Sequence, residues 1–430
     1  MESSDRKGIA QVQRVGACSD RKSRSTFSEH ALSQDITLAR TLMKGPTSPH
    51  IAGLDLIRLT AAILVVLDHY TSSIGRNEWL ANAIGGGLPS FPFLSPFTDA
   101  GGVGVDIFFV ISGLVIAGSA NGNSPRRFAK GRFFRLMPSV WIASTFSAIV
   151  LMFATHLEWR EIFATYLRSL VLSPKGPWVD GSFWTLCVEI SFYALIFAVL
   201  CKNKMGDFDK IFAVLGIWVS AIAFASLLLL PGNPFLYTLI NSWPAKLLLL
   251  LNGAEFVFGA FLYLILFVGP SLLRFTVLAI CGLGVCAKLI SGLAFFHGGA
   301  AGGFAEWLPL IIWLAAVLAM VGSVLFNEPI SRAFGSAMPV VRQMGLLTYP
   351  LYLIHSPLGL VVLQHVFQTT HSPILALAAA IGVVLLAATL ILLVEPILRS
   401  WSKWPIQRAV NLAQGRFFPA WLAEPTSRLK

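Results

Sequence analysis

The stretch Gly53–Tyr70, GLDLIRLTAAILVVLDHY, decides the fold class, because it is apolar enough to enter a membrane and still contains titratable side chains. Arg58 and His69 are eleven residues apart within it. At about 100° per residue, this separation returns to within roughly 20° of the same helix face, with a rise of about 16 Å. Charged groups inside a spanning helix are costly and mark a functional site by default. The stretch therefore predicts a spanning helix with a cation near one membrane surface and an imidazole towards the other.

The composition also indicates a membrane protein. Of the 430 residues, 56% are hydrophobic and 12% are charged, and the mean hydropathy is +0.73. A soluble domain carries about 25% charged residues. The net charge of +11 is typical of Lys and Arg concentrated in cytoplasmic loops, so we expect no nucleic-acid partner. The five cysteines show no CxxC spacing, and we expect no metal site.

Ten runs of about 20 mostly apolar residues predict membrane-spanning helices. They are 53–72, 101–120, 136–156, 182–201, 211–230, 245–267, 274–296, 304–325, 345–367 and 374–394. Most Lys and Arg residues fall on one side when the N-terminus is placed inside, so both termini are predicted to be cytoplasmic. The predicted fold is an all-α bundle of about ten transmembrane helices.

Three domains are predicted along the chain. Residues 1–50 are polar and basic and read as a disordered cytoplasmic tail. Residues 51–396 form the membrane domain, in which the charged segment 157–175 is a loop with an interfacial helix. Residues 397–430 mix aromatic and basic side chains, which indicates a cytoplasmic interfacial tail.

A cluster of cations lies at the cytoplasmic exit of the second span. Its members are Arg126, Arg127, Lys130, Arg132 and Arg135. Five cations in ten residues are suited to binding a phosphate-bearing ligand. The alternative interpretation is an ordinary topology signal.

Further polar side chains lie inside the predicted spans. The second span contains Asp106, and Glu189 in the fourth span is predicted to lie at a depth similar to that of His69. Thr185 and Tyr193 share the helix face of Glu189 at a spacing of four residues. Glu255 and Lys288 have the opposite charges needed to neutralise each other.

A histidine with carboxylates at similar depth is suited to general base catalysis. Neutral imidazole can remove a proton from a hydroxyl group, and a carboxylate on the other ring nitrogen fixes the tautomer. Asp68, Asp106 and Glu189 are the candidates to orient His69. Together with the cationic mouth, these residues predict acyl transfer from a phosphorylated carrier. The alternative for His69 is a buried histidine with a structural hydrogen bond.

Five motifs in the same order make the chain resemble the acyltransferase-3 family of membrane proteins. They are GLDLIRLTAAILVVLDHY with its Arg58-x10-His69 spacing, GVGVDIFFVISGLVI, GRFFRLMP, SFWTLCVEISFY, and TYPLYLIHSP followed by VEPILRS. The resemblance covers about residues 50–400. Members of this family O-acylate exported polysaccharides, Nod-type lipo-oligosaccharides and some macrolides.

The resemblance implies a bundle of about ten helices in a bacterial inner membrane, contacting membrane lipid. It implies acetyl-CoA or another acyl-CoA as co-substrate, with no permanently bound cofactor, and a saccharide as acceptor. His69 matches the catalytic histidine, whereas Arg58, Arg132 and Arg135 match groups assigned to the CoA side. The remaining motif positions, whose individual roles stay open, are Asp106, Ser112, Glu189, Tyr352 and His355. The length predicts the stand-alone form of the family, without a fused esterase-like domain.

In the mechanism predicted from these matches, CoA is held by Arg132 and Arg135, with Arg126 or Arg127, while its pantetheine arm passes Arg58. His69 then deprotonates the acceptor hydroxyl. The sequence leaves open which acyl group is transferred, whether an acyl-enzyme forms and which oligomer exists. A transporter or flippase for a glycan or lipid-linked intermediate is the alternative function, since it would use the same polar interior as a path. A sensor or scaffold without turnover is a third possibility, against which the many polar residues in the spans argue.

Overall fold

The computed structural model describes residues 50–73, 78–229, 233–296 and 304–414, and within these ranges the chain is helical with no β-strand. The predicted tail 1–50 lies outside the described residues except for His50, as do residues 415–430 of the predicted C-terminal tail.

The first half of the chain forms seven α-helices among the described residues. They are α1 (Ala52–Leu67), α2 (Glu78–Ala83), α3 (Ser95–Thr98), α4 (Val103–Ala120), α5 (Pro125–Ala154), α6 (Trp159–Leu170) and α7 (Trp184–Cys201). Short 3₁₀ turns precede α4 and α7, at Asp99–Gly102 and Gly181–Phe183.

The second half forms nine described α-helices. They are α8 (Phe208–Leu229), α9 (Pro234–Ile240), α10 (Trp243–Leu247), α11 (Gly253–Tyr263), α12 (Leu272–Phe296), α13 (Phe304–Leu325), α14 (Asn327–Phe334), α15 (Met338–Thr370) and α16 (Pro373–Gln414). Two further 3₁₀ turns lie at Met205–Asp207 and Gly335–Ala337. Helix α16 continues without a break past residue 397, where the interfacial tail was predicted to begin.

In the described part of the chain, eight helices are long and apolar enough to cross a membrane. Of the other two predicted spans, 53–72 is helical throughout, whereas 245–267 is interrupted by turns at residues 248–252, between α10 and α11. Helix α1 has the required length only with the turn that follows it and carries charged residues, and α11 with its continuation forms a shorter apolar helix at Gly253–Val268. The structure thus confirms an all-helical, multi-pass architecture. The total of about ten spans and the orientation of the termini remain predictions.

The segment after α1 departs from regular α-helix. Residues Asp68–Ser72 wind as a π-helix, in which the Ser73 N–H donates to the Asp68 carbonyl at 2.8 Å. His69 is the second residue of this π-helical turn. Such turns insert an extra residue into a helix and are frequent at functional sites.

Helix α5 begins eleven residues before the predicted span at 136–156. Ser124 caps it by accepting a hydrogen bond from the Arg127 N–H at 3.3 Å, and Pro125 occupies the first helical position. The basic motif is therefore the start of a helix rather than a loop. As a consequence, Arg132 and Arg135 lie one turn apart on the same face.

Helix α4 lies at the centre of the bundle, between α1 and α11. Glycines permit the close approach: a Cβ atom at Gly113 would collide with the Phe256 carbonyl oxygen, and one at Gly259 would collide with the Val110 carbonyl oxygen. Small residues at a crossing are how spanning helices pack closely, since lipid tails offer no hydrophobic driving force between helices.

We expect Gly113→Ala to destabilise the folded protein by about 1–3 kcal/mol, because the new methyl group meets backbone that cannot rotate away. The measurement is thermal unfolding of the purified protein in detergent. Gly382→Ala is the matched control, since Gly382 is exposed on α16 and a Cβ atom there meets no atom within 4 Å. Equal unfolding temperatures for the two variants would contradict this packing argument.

Candidate active site

A first cavity, which we call the arginine cavity, has a volume of about 760 Å³ including its open mouth and lies between α1, α4, α5, α7 and α15. Its polar lining consists of Arg58, Ser112, Arg132, Arg135, Thr185, Glu189, Thr348, Tyr349 and Tyr352. Three guanidinium groups therefore line one cavity. Arg58 comes from α1, whereas Arg132 and Arg135 come from α5, at least 74 residues further along the chain.

The arginines of this cavity are held by aromatic and acidic neighbours. The Arg132 guanidinium lies 5.8 Å from the ring centroids of both Phe128 and Tyr193, at cation–π distance. Arg58 contacts Asp55 through Nη1 and Oδ1 at 3.2 Å. Arg126 and Arg127, which were predicted to share the CoA site, are absent from the cavity lining.

Glu189 belongs to the arginine cavity and not to the surroundings of His69. Its Oε1 accepts hydrogen bonds from Ser112 Oγ at 3.0 Å and from Tyr193 Oη at 2.7 Å. Ser112 is six residues beyond Asp106 on α4, which corresponds to about 9 Å along the helix. Glu189 lines the arginine cavity and is not among the residues that line the cavity of His69.

A second cavity, the histidine cavity, has a volume of about 1520 Å³ including its open mouth. Its polar and aromatic lining comprises Asp68, His69, Ser73, Asp106, Ser182, Trp184, Asn241, Lys246, Asn252, Lys288, Tyr352 and Ser356. Arg58 and His69, predicted to share one helix face, therefore open onto two different cavities.

The Nδ1 atom of His69 is paired with a second histidine. Its Nδ1 lies 2.7 Å from Nε2 of His355, and the two rings are stacked with centroids 4.9 Å apart. Nδ1 of His355 in turn lies 2.8 Å from the Tyr352 carbonyl oxygen. The expectation that Asp68, Asp106 or Glu189 occupies this ring nitrogen is thus corrected. The pairing joins residues 286 positions apart, so no local sequence pattern predicts it.

Asp106 is engaged by Lys288, whose Nζ lies 2.6 Å from Asp106 Oδ1 and 2.5 Å from Glu255 Oε1. The predicted pairing of Glu255 with Lys288 is confirmed, and Asp106 is its third member. One ammonium group between two buried carboxylates offsets much of the cost of burying all three charges. Asp106 lines the same cavity as His69, but it forms its ion pair with Lys288, which Glu255 also contacts.

Asp180 is a site residue that the sequence reasoning missed. It is 1% exposed, and its Oδ1 accepts from the Ser182 N–H at 2.8 Å and the Ser182 hydroxyl at 2.6 Å. Its Oδ2 accepts from the N–H of Ser356, the residue after His355, at 3.3 Å. Burial raises the pKa of Asp180 to about 6. The sequence feature that could have indicated Asp180 is its position directly before a helical segment, where aspartate is a favoured N-cap residue.

The two cavities adjoin at Tyr352, which, with Val105, lines both of them. The Tyr352 hydroxyl lies 3.0 Å from Thr185 Oγ1, and its ring meets the edge of Phe108 with centroids 5.7 Å apart. The Tyr352 backbone carbonyl accepts the His355 hydrogen bond described above. This residue therefore connects the arginine cavity to the histidine pair. Among the described residues, no group of three or more His, Cys, Asp or Glu side chains is arranged so that it could hold a metal ion.

Comparison with known proteins identifies the family of the chain. An O-acetyl transferase of Shigella phage Sf6 is 29% identical over 227 residues, which is 48% of this chain and 60% of that protein. The chain thus matches less than two thirds of the relative's length. No solved structure matches the chain. The family model described as an acyltransferase domain matches residues 51–393, which include both cavities and the histidine pair, and the chain therefore belongs to the acyltransferase-3 family.

Proposed function

We propose that the protein transfers an acyl group, with acetyl the expected one, from acyl-CoA to a hydroxyl group of an exported saccharide, with His69 as general base. The observation that carries this proposal is the junction at Tyr352, where a cavity with three arginines adjoins a cavity with a histidine. Membership of the acyltransferase-3 family supports the reaction class.

The arginine cavity is suited to the phosphates of CoA. Arg132 and Arg135 provide guanidinium groups for charge-assisted hydrogen bonds to phosphate. The Arg132 Nε atom is buried and has no hydrogen-bond partner among the described residues. A buried donor without an acceptor is costly, and a phosphate oxygen of a bound ligand would satisfy it. Arg58, further along the cavity wall, then contacts the pantetheine arm.

In the proposed reaction the thioester reaches the Tyr352 junction and the acceptor hydroxyl approaches through the histidine cavity. His69 takes the hydroxyl proton as the oxygen attacks the thioester carbonyl carbon. The new C–O bond forms, the C–S bond breaks, and the proton passes from His69 to the departing thiolate to give free CoA. Direct transfer in this way needs no acyl-enzyme.

The acceptor enters, in this proposal, from the side of the membrane opposite to the donor. The histidine cavity offers the Trp184 ring together with Asn252 and Lys246, side chains that can stack on a sugar ring and hydrogen-bond its hydroxyl groups. The name of the phage relative supports an acetyl group and an oxygen acceptor. We place the protein in a bacterial inner membrane, with the arginine cavity facing the cytoplasm.

The proposal is tested by mass spectrometry of the host's exported glycans, with and without the gene. We expect a mass increment of one acetyl ester that appears only when the protein is present. Feeding isotopically labelled acetyl groups should label that ester through acetyl-CoA. If the glycans carry no ester in either strain but are lost from the surface without the protein, the transporter alternative is correct.

Replacement of Arg135 tests the donor site. We expect Arg135→Ala to raise the apparent KM for acetyl-CoA by about tenfold or more, since hydrogen bonds to charged groups contribute about 1.5–3 kcal/mol. At saturating donor the rate should approach that of the wild type. Arg127→Ala is the matched control, because Arg127 is exposed on the same helix and outside the cavity. Equal KM values for both variants would argue against phosphate binding in the arginine cavity.

A further inference from the structure

We infer that His355 is a positioning residue that fixes the tautomer of His69, a role for which a carboxylate was expected. The inference rests on the proposed function, which requires a lone pair on the His69 nitrogen that faces the acceptor. It follows from the order of donors and acceptors along the Tyr352–His355–His69 chain.

The chain begins at the Tyr352 carbonyl, which can only accept a hydrogen bond. His355 Nδ1 lies 2.8 Å from it and must therefore carry the hydrogen. His355 is fully buried, and neither of its ring nitrogens contacts a carboxylate. A buried group without a counter-charge is favoured in its neutral form, so Nε2 of His355 is left as an acceptor.

The hydrogen bond between His355 and His69 determines the tautomer of His69. Its Nδ1, 2.7 Å from the accepting Nε2 of His355, must be the donor and so carries hydrogen. In a neutral imidazole with hydrogen on Nδ1, the lone pair is on Nε2. This is the form that can remove a proton from a hydroxyl group. Without a partner on Nδ1, a histidine ring in water favours the tautomer with hydrogen on Nε2. In that tautomer Nε2 has no lone pair with which to accept the hydroxyl proton.

The backbone around the pair is held by a second cross-link between the same two helical segments. The hydroxyl of Tyr70, the residue after His69, donates to the His355 carbonyl oxygen at 2.6 Å. Gly359, one turn beyond His355, leaves room for this hydroxyl, because a Cβ atom there would collide with it. The two histidine rings are therefore positioned by their neighbours and do not depend on each other alone.

During transfer His355 gains no proton. As His69 Nε2 takes the proton of the acceptor hydroxyl, the ring becomes an imidazolium whose Nδ1–H donates a stronger, charge-assisted bond to His355. The proton then leaves from Nε2 to the thiolate of CoA, and both histidines return to their starting tautomers. His355 thus stabilises the charged intermediate form of His69 without touching a reacting atom.

The test compares His355→Leu with His355→Gln, using acetyl-CoA as donor and the host's membrane glycan fraction as acceptor. We expect His355→Leu to lower kcat at least about 100-fold while the KM for acetyl-CoA stays unchanged. His355→Gln should restore much of kcat, because its amide oxygen can accept from His69 Nδ1–H. His365→Leu, an exposed site on the same helix, is the control. Wild-type kcat in His355→Leu, or no difference between Leu and Gln, would overturn the inference.

A spectroscopic measurement tests the tautomer without any acceptor. In protein with ¹⁵N-labelled histidine, the His69 signals are identified by their loss in His69→Gln. We expect hydrogen on Nδ1 in the wild type and on Nε2 in His355→Leu, whereas hydrogen on Nε2 in the wild type would refute the relay. An inactive His69→Gln beside a fully active His355→Leu would reject the relay and keep the proposed function. Absence of any acetyl-CoA-dependent ester in the wild type would reject the proposed function instead.

Discussion

Replacing His69 with alanine is expected to lower the rate of acyl transfer by about 10²–10⁴-fold, the range that a positioned general base contributes. The side chain lines the histidine cavity, and its Nδ1 is held by His355 at 2.7 Å. Alanine removes the base, whereas the arginine cavity stays intact. The KM for acetyl-CoA should therefore change little while kcat falls.

The measurement is ester formation on the host's glycans at matched amounts of folded membrane protein. His69→Gln accompanies His69→Ala, because it keeps a hydrogen-bonding side chain next to His355 but cannot act as a base near neutral pH. His365→Ala controls for the loss of any histidine, since His365 is exposed on α15. Near-normal ester levels in both His69 variants would show that another group accepts the proton.

Replacing Lys288 with methionine is expected to destabilise the folded protein by about 3–5 kcal/mol, because it leaves two carboxylates in the bundle without their shared counter-charge. The side chain of Glu255 is fully buried and that of Asp106 is 11% exposed. Glu255 therefore has no access to bulk water, and Asp106 has little. Thermal unfolding in detergent measures the effect.

Neutralising the carboxylates should reverse this loss. In the Lys288→Met background, Glu255→Gln and Asp106→Asn remove the stranded charges, and replacing all partners of a buried ion pair is often close to neutral. Lys204→Met is the control, since Lys204 contacts Asp207 at 3.4 Å on the surface and should cost at most about 1 kcal/mol. No recovery in the triple variant would mean that Lys288 contributes packing rather than charge compensation.

Two features of the site could be predicted from sequence patterns alone: the common helix face of two arginines and the pairing of two buried charges. Arg132 and Arg135 are three residues apart, and helical periodicity predicts a common face for them. Opposite charges in two apolar helices predict a pair, because an isolated charge in a membrane is costly. Glu255 and Lys288 form that pair, while the addition of Asp106 depended on where α4 packs in the bundle.

The sequence by itself determined the all-helical membrane architecture, the family and the side chains that carry charge into the bundle, because hydropathy and helical period are local properties of the chain. Only the tertiary structure decided their partners. It separated Glu189 from His69, assigned Asp106 to Lys288, and brought His355 to His69 across 286 residues. The period of a helix tells which residues share a face, but it does not tell which helix that face meets or at what height.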